Sequence, residues 1–367
     1  MRNDNALLIM GNGFDLQCGL KSSYKHFFEW LRLEYQKGSN GGDKQICNNI
    51  WVAHFLNIPI TGEGWADVED SLKNALIINN ETSESPVEKW KRIINENLAN
   101  SINNYINIDE ELCCICRYNR EEGCDSFLKY NNNLYWFLDR LIDFECIFSK
   151  YLCKQVSNNI SYIKNVFKLI SLIVDEEKFS VINFNYTNPF HETYLDSASL
   201  KLKELFLNAT NVHGTLSDDN IIFGIDVTKE KELSLESRIF TKTHRKMLLK
   251  SPKSTLPQNI TKIKFYGHSL GEADYSYFQS IFDNYNLYGD NLDTLNYYSN
   301  DKQVMLQFYF TILNEKNKKN EERSAIDRVY KLITGYGTTL DNKDKGNNLL
   351  HKLLLEGRVQ IEFLSTI

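Results

Sequence analysis

The sequence predicts an α/β fold in which a doubly wound, mostly parallel sheet is covered by helices and interrupted by a large helical insertion. Three observations carry that expectation. A short aliphatic run, Ala6 to Met10, stops at Gly11-Asn12-Gly13 and gives way to Tyr24, Phe27, Phe28 and Leu31 at helical spacing. From about residue 40 to 176 the pattern is one of long helical periodicities, such as Leu134, Phe137, Leu138, Leu141 and Ile142, then Ile160, Ile163, Val166, Phe167 and Ile170. After that, short β-type runs return with helical stretches between some of them, as in a parallel sheet whose crossovers are helices.

The first element reads as strand, glycine turn and helix. Residues 1–39 and 177–367 are assigned to the sheet-bearing core, and 40–176 to the insertion. Later strands are expected at Ser180 to Phe184, Thr210 to Val212, Ile221 to Phe223, Lys262 to Tyr266, Val304 to Ile312 and Val359 to Leu364. The charged stretch Asn314 to Arg328 reads as a solvated loop entering a helix, and Thr338 to Asn348 as a polar connection.

Composition bounds the function. Of 367 residues, 42% are hydrophobic and 25% charged, which suits a globular protein with a substantial core. A formal net charge of −6 argues against nucleic-acid binding through the overall field. Ala6 to Met10 is too short for a signal-peptide core, and no apolar run approaches the roughly 18–20 residues a spanning helix needs. The expectation is a soluble, cytoplasmic protein with no membrane partner, whose eight cysteines stay reduced.

Four segments carry candidate chemistry. Gly11-Asn12-Gly13-Phe14-Asp15 ends a strand and opens a helix, where backbone N–H groups and the helix dipole can hold a phosphate; a tight turn without a ligand fits as well. Val181 to Phe184 is an apolar strand that breaks into Asn185-Tyr186-Thr187 at its C-terminal end, where open α/β sheets bind ligands. Asn185 could hold a ribose hydroxyl or a water with help from Thr187, or it could cap the next helix. His213-Gly214 follows an apolar stretch and offers an imidazole as general base. Position after a strand favours His213 and His268 over the other histidines. Phe265 to Gly271 runs into a glycine-flanked Ser269, with Asp274 a few residues on. That turn can present Ser269 to phosphate or ribose, yet Gly267-His268-Ser269-Leu270-Gly271 also fits the serine nucleophile elbow, which Asp274 and His351 could complete as a triad.

In this order and spacing the four segments resemble the nucleotide-binding core of the sirtuins. Gly11-x-Gly13-Phe14, then four residues, then Gly19-Leu20 is similar to the sirtuin Gly-Ala-Gly turn and its Gly-Ile-Pro. Asn185 matches the asparagine of Thr-Gln-Asn-Ile-Asp, His213-Gly214 the catalytic His-Gly, and Gly267 to Leu270 the Gly-Thr-Ser-Leu motif. A closer resemblance, spanning nearly the whole chain, is to the bacterial AbiH (abortive infection) family. Its members carry Gly-Asn-Gly-Phe-Asp, Asn-Tyr-Thr, His-Gly and Gly-x-Ser-Leu-x-x-x-Asp, here Gly11 to Asp15, Asn185 to Thr187, His213-Gly214 and Gly267 to Asp274. Trp65-Ala66-Asp67-Val68-Glu69 is similar to its Trp-x-Asp-x-Glu element. The chain departs from sirtuins in having only Cys113 and Cys116 at Cys-x-x-Cys spacing, with Cys114 between and a lone Cys124, so no metal is expected. Asp15 stands where sirtuins have a small hydroxyl residue, and Lys21 where they have proline.

The resemblance implies a sirtuin-like, Rossmann-like fold and a role in phage defence, with NAD⁺ as the bound nucleotide and its hydrolysis as the reaction. It implies Asn185 and His213 as the catalytic pair. Nucleotide contacts would come from Gly11, Asn12, Gly13, Phe14, Asp15, Tyr186, Thr187, Gly214, Gly267, His268, Ser269 and Asp274. A phage trigger, a partner defence protein or a second copy of the chain would be its macromolecular partners. Two alternatives stay open: a nucleotide-binding sensor or scaffold without turnover, and a nuclease that would use the basic run Lys242, His244, Arg245, Lys246, Lys250 and Lys253.

Overall fold

Six strands form one all-parallel sheet in the order β3-β2-β1-β4-β5-β6. They are β1 Asn5–Met10, β2 Lys178–Asn183, β3 Phe206–Asn211, β4 Ile260–Tyr266, β5 Met305–Thr311 and β6 Val359–Leu364. The computed structural model describes residues 5–37, 43–47, 49–57, 72, 132–224, 238–248, 256–271, 274–289, 303–312, 315–339 and 343–365. Trp65 to Glu69, the four cysteines from Cys113 to Cys124, and Lys250 and Lys253 lie outside the described residues.

The sheet is covered on both faces, and β1 shows why its sequence is a continuous apolar run rather than an alternating one. Leu7 and Ile9 point to a core built with Phe278, Ile281 and Phe282 of the helix Tyr275–Asn284, and with Val329, Leu332 and Ile333 of the helix Lys318–Gly337. Ala6, Leu8 and Met10 point the other way, against Phe14, Cys18 and the helix Tyr162–Val174 through Val166, Ile170 and Ile173. With both faces of β1 buried against helices, both of its sets of alternate residues are apolar.

The chain order reverses between β1 and β4. From β1 the chain proceeds outward through β2 and β3 on one side, and from β4 through β5 and β6 on the other. Met10 is in register with both Asn183 and Tyr266, so β1, β2 and β4 end at one level and their following residues share one rim. In an open α/β sheet this reversal leaves a crevice beyond the strand ends.

Two compact units divide the chain: residues 1–20, 156–217 and 251–367, and residues 21–155 and 218–250. The first carries the whole sheet. It includes the helix Tyr162–Val174, which the periodicity reading assigned to the insertion, because that helix buries its apolar stripe on β1 and β2. The second unit is helical and aromatic: Phe27 packs on Phe28, Phe144, Phe148 and Tyr151, and Phe223 on Tyr24, Phe144 and Phe148. The expected strand at Ile221 to Phe223 is therefore absent. These residues are buried but belong to that aromatic core, where the Phe223 N–H donates to Glu145. Glu145 is itself buried and paired through both oxygens with Arg245. Burial raises its carboxyl, more than the Arg245 hydrogen bonds and charge lower it. Among the described residues no helix is long and apolar enough to cross a membrane.

Candidate functional site

At the reversal point, the turn after β1 and the turn after β4 lie backbone on backbone. The Gly11 N–H donates to the Tyr266 carbonyl at 3.0 Å and the Gly13 N–H to the Gly267 carbonyl at 2.7 Å. A Cβ on Gly11 would sit 2.5 Å from the His268 Cα, and one on Gly13 2.8 Å from the Gly267 Cα. Gly267 has φ +70°, and a Cβ there would lie 2.2 Å from the Phe14 nitrogen. The three glycines are thus required for close approach of two loops. The Phe14 N–H is held by the Gly11 carbonyl at 2.8 Å. The amides of residues 11, 13 and 14 are consequently bonded to protein carbonyls instead of pointing at a phosphate position.

Asp15 follows inside the short helix Asn12–Gln17 and is 1% exposed. The Tyr162 hydroxyl donates to one of its carboxylate oxygens at 2.7 Å and the Thr187 hydroxyl to the other at 2.8 Å. Burial pushes its pKa up to about 6, while the hydrogen bonds from Tyr162, Thr187 and Asn185 pull against that rise. Asp15 thereby ties the first turn to the segment beyond β2.

Asn185 lies at the centre of this rim and is 3% exposed. Its backbone N–H donates to the Asn183 side-chain oxygen at 3.1 Å, and its Nδ2 donates to the Gly11 carbonyl at 3.1 Å. Since Gly11 offers only a carbonyl there, the amide's orientation is fixed. The Asn185 Oδ1 is buried with no hydrogen-bond partner among the described residues. A buried acceptor left unmatched costs about 1–3 kcal/mol, so it marks a place where a donor belongs.

Two residues that sequence reasoning passed over build this arrangement. Asn183 and Asn211 are in register at the ends of β2 and β3. Their side-chain amides donate to the Thr187 carbonyl at 2.7 and 3.0 Å, and Asn211 also donates to the Asn185 carbonyl at 2.8 Å. The signal was an asparagine closing each of two strands, visible only once the strands are known to be neighbours. Tyr162, whose hydroxyl holds Asp15, is a further residue that sequence reasoning did not single out. Tyr186 is buried, and its carbonyl accepts from the Leu216 N–H at 2.9 Å.

His213, His268 and Asp274 form the second cluster. The His213 Nε2 lies 3.0 Å from one Asp274 oxygen and the His268 Nε2 3.3 Å from the other. Both imidazoles are buried, and the Phe184 ring stands edge-on to each, with centroids at 5.7 and 4.6 Å. Phe184 precedes Asn185, and Gly11 packs on the His268 backbone, so the clusters adjoin. Gly214, at φ +84°, turns the chain away after His213.

Ser269 is exposed and its oxygen accepts from the Gly271 N–H at 3.4 Å. The left-handed residues of that turn are Gly267 and Leu270, at φ +70° and +58°, whereas a nucleophile elbow strains the serine itself. Asp274 commits both oxygens to His213 and His268, and His351 is an exposed residue of the helix Lys343–Leu355. Of the basic run, Lys242 is buried and Arg245 is paired with Glu145, so neither offers a solvated phosphate contact. Among the described residues no three histidine, cysteine or acidic side chains gather as metal ligands.

Sheet order, covered faces and a polar rim at the reversal point define a doubly wound, Rossmann-like α/β protein, a class in which ligands bind at the switch point. The chain belongs to the bacteriophage abortive infection family AbiH, whose model matches residues 7–294, and its role is in abortive infection. No curated protein and no solved structure matches it.

Proposed function

We propose that this AbiH-family protein binds NAD⁺ at the β1/β4 crevice and hydrolyses its nicotinamide–ribose bond, removing the cofactor from an infected cell. The observation that carries the reading is the Asn185 Oδ1, a buried acceptor of fixed orientation without a donor. A ribose hydroxyl or a water supplies that donor. Water's oxygen bonds to the anomeric carbon as the bond to the nicotinamide nitrogen breaks, and the bonding electrons leave with the neutral nicotinamide. His213 takes the proton that water releases, a contribution worth roughly 10²–10⁴-fold for a general base. Asn12 and the exposed Ser269 are the candidate side-chain contacts for ribose and phosphates. The sirtuin resemblance of the four segments supports the choice of NAD⁺.

The test is incubation of the purified protein with NAD⁺, followed by chromatography for nicotinamide and ADP-ribose. Release that is lost in His213→Ala and Asn185→Ala, with both variants folded, supports the reading. A rise in melting temperature with NAD⁺ but no release returns the sensor alternative, because a ligand that binds only the native state stabilises it. The absence of both release and a rise in melting temperature ends the nucleotide reading.

A further inference from the structure

We infer that Asp274 is a positioning residue that fixes His213 as a base acting through Nδ1, with His268 as the brace that holds the carboxylate in place. The inference rests on the hydrolytic reading of the crevice for its catalytic arm and on hydrogen-bond geometry for the rest. Its starting point is His268. The Leu270 N–H donates to the His268 Nδ1 at 2.9 Å, and a backbone amide can only donate. The Nδ1 therefore carries a lone pair, and the single proton of the neutral ring sits on Nε2. That Nε2–H faces one Asp274 oxygen at 3.3 Å.

The left-handed backbone at Leu270, φ +58°, belongs to the turn that brings this amide back onto the ring. With one oxygen accepting from His268, the other faces the His213 Nε2 at 3.0 Å. A carboxyl group is a far stronger acid than an imidazolium, so the proton between them resides on His213. His213 is then the Nε2–H tautomer, and Nδ1 is its basic nitrogen. A carboxylate that orients an imidazole in this way also favours the imidazolium formed when Nδ1 accepts a proton.

The described titratable groups facing His213 are Asp274 and Tyr277, from the helix Tyr275–Asn284 and its N-cap, and His268 through Asp274. The Phe184 ring also stands edge-on to the imidazole and carries no charge. Asp274 is the carboxylate that faces Nε2 and sets the tautomer.

The experiment is ¹⁵N-histidine NMR of the full chain, wild type and Asp274→Asn, beside NAD⁺ turnover of both. The expected wild-type result is a proton on Nε2 and none on Nδ1 for both His213 and His268. In Asp274→Asn, His213 is expected to lose the single tautomer, and kcat to fall by about 10²-fold or more while KM stays within roughly threefold. A wild-type His213 protonated on Nδ1 overturns the inference without any variant having to fold. So does a folded Asp274→Asn that turns over NAD⁺ at the wild-type kcat. If the wild type releases no nicotinamide but shows the expected tautomers, the NAD⁺ reading fails and the positioning geometry stands.

Discussion

Acidification through pH 6 is expected to stabilise the sheet-bearing unit through Asp15, and Asp15→Asn is expected to remove that gain. Burial lifts the Asp15 carboxyl from its ordinary 3.8 to about 6. A carboxyl with a higher pKa in the folded chain binds its proton more tightly there. Its stabilisation is complete below the unfolded value and is lost as the pH rises through about 6. Roughly two pH units at about 1.4 kcal/mol each give about 3 kcal/mol over the full range. From about pH 7.5 to about pH 5, some nine-tenths of folded molecules take up the proton and few unfolded ones do, which amounts to about 1.4 kcal/mol. For a unit of this size that is about 3–6 °C in Tm. Melting followed by circular dichroism, with the variant subtracted at each pH, isolates Asp15 from other titrating groups. Asparagine keeps the size and offers Tyr162 and Thr187 one acceptor and one donor. Parallel wild-type and variant curves would sink the argument. A wild type that loses stability relative to the variant on acidification would reverse its sign, since Asp15 would then be held ionised by its two hydroxyl donors.

Three further outcomes follow from the packing. Gly267→Ala places a Cβ 2.2 Å from the Phe14 nitrogen at a positive φ, and the sum of left-handed strain and overpacking is about 2–5 kcal/mol, readable as a lowered Tm; an unchanged Tm would mean that the two turns are not in contact. Arg245→Met leaves the buried Glu145 without its partner and is expected to cost about 3–5 kcal/mol by denaturant titration of the helical unit, whereas a loss below about 1 kcal/mol would show the pair to be solvated. Ser269→Ala is expected to raise KM for NAD⁺ with little change in kcat, and ester cleavage by the wild type that vanishes in this variant would reinstate serine as a nucleophile.

Much of the fold was legible because burial on both faces leaves a mark that sequence carries locally. β1, β4 and β5 are short runs with no exposed position, whereas the edge strand Val359–Leu364, which the sequence places to the residue, is marked by the alternation of exposed Gln360 and Glu362 with apolar neighbours. The failure at Ile221 to Phe223 has the same origin. Three apolar residues before a glycine read alike whether they face a sheet or an aromatic helical core, and nothing within the segment tells the two apart. The helix Tyr162–Val174 was recognised as a helix and given to the insertion, because its periodicity says that one face is buried but not what covers it.

The site was legible in its motifs and not in their division of labour. Glycines at 11, 13 and 267 mark places where a side chain cannot stand, and sequence cannot say whether a ligand or another loop occupies the space; here each faces the other turn. The acid at 15 looked like a helix-start residue beside a phosphate. Its actual environment comes from Tyr162 and Thr187, 147 and 172 positions away, and a carboxyl's charge is decided by such partners and by burial rather than by its neighbours in the chain. Asp274 makes the same point within one rim. From sequence it could complete a serine triad with His351 or sit near a nucleotide. The fold instead sets it between two imidazoles that reach it from different loops, one of them oriented by a backbone amide. A residue whose function is to orient another acquires that function only through the second residue's geometry, so the tautomer of His213, rather than any motif, is the property to measure.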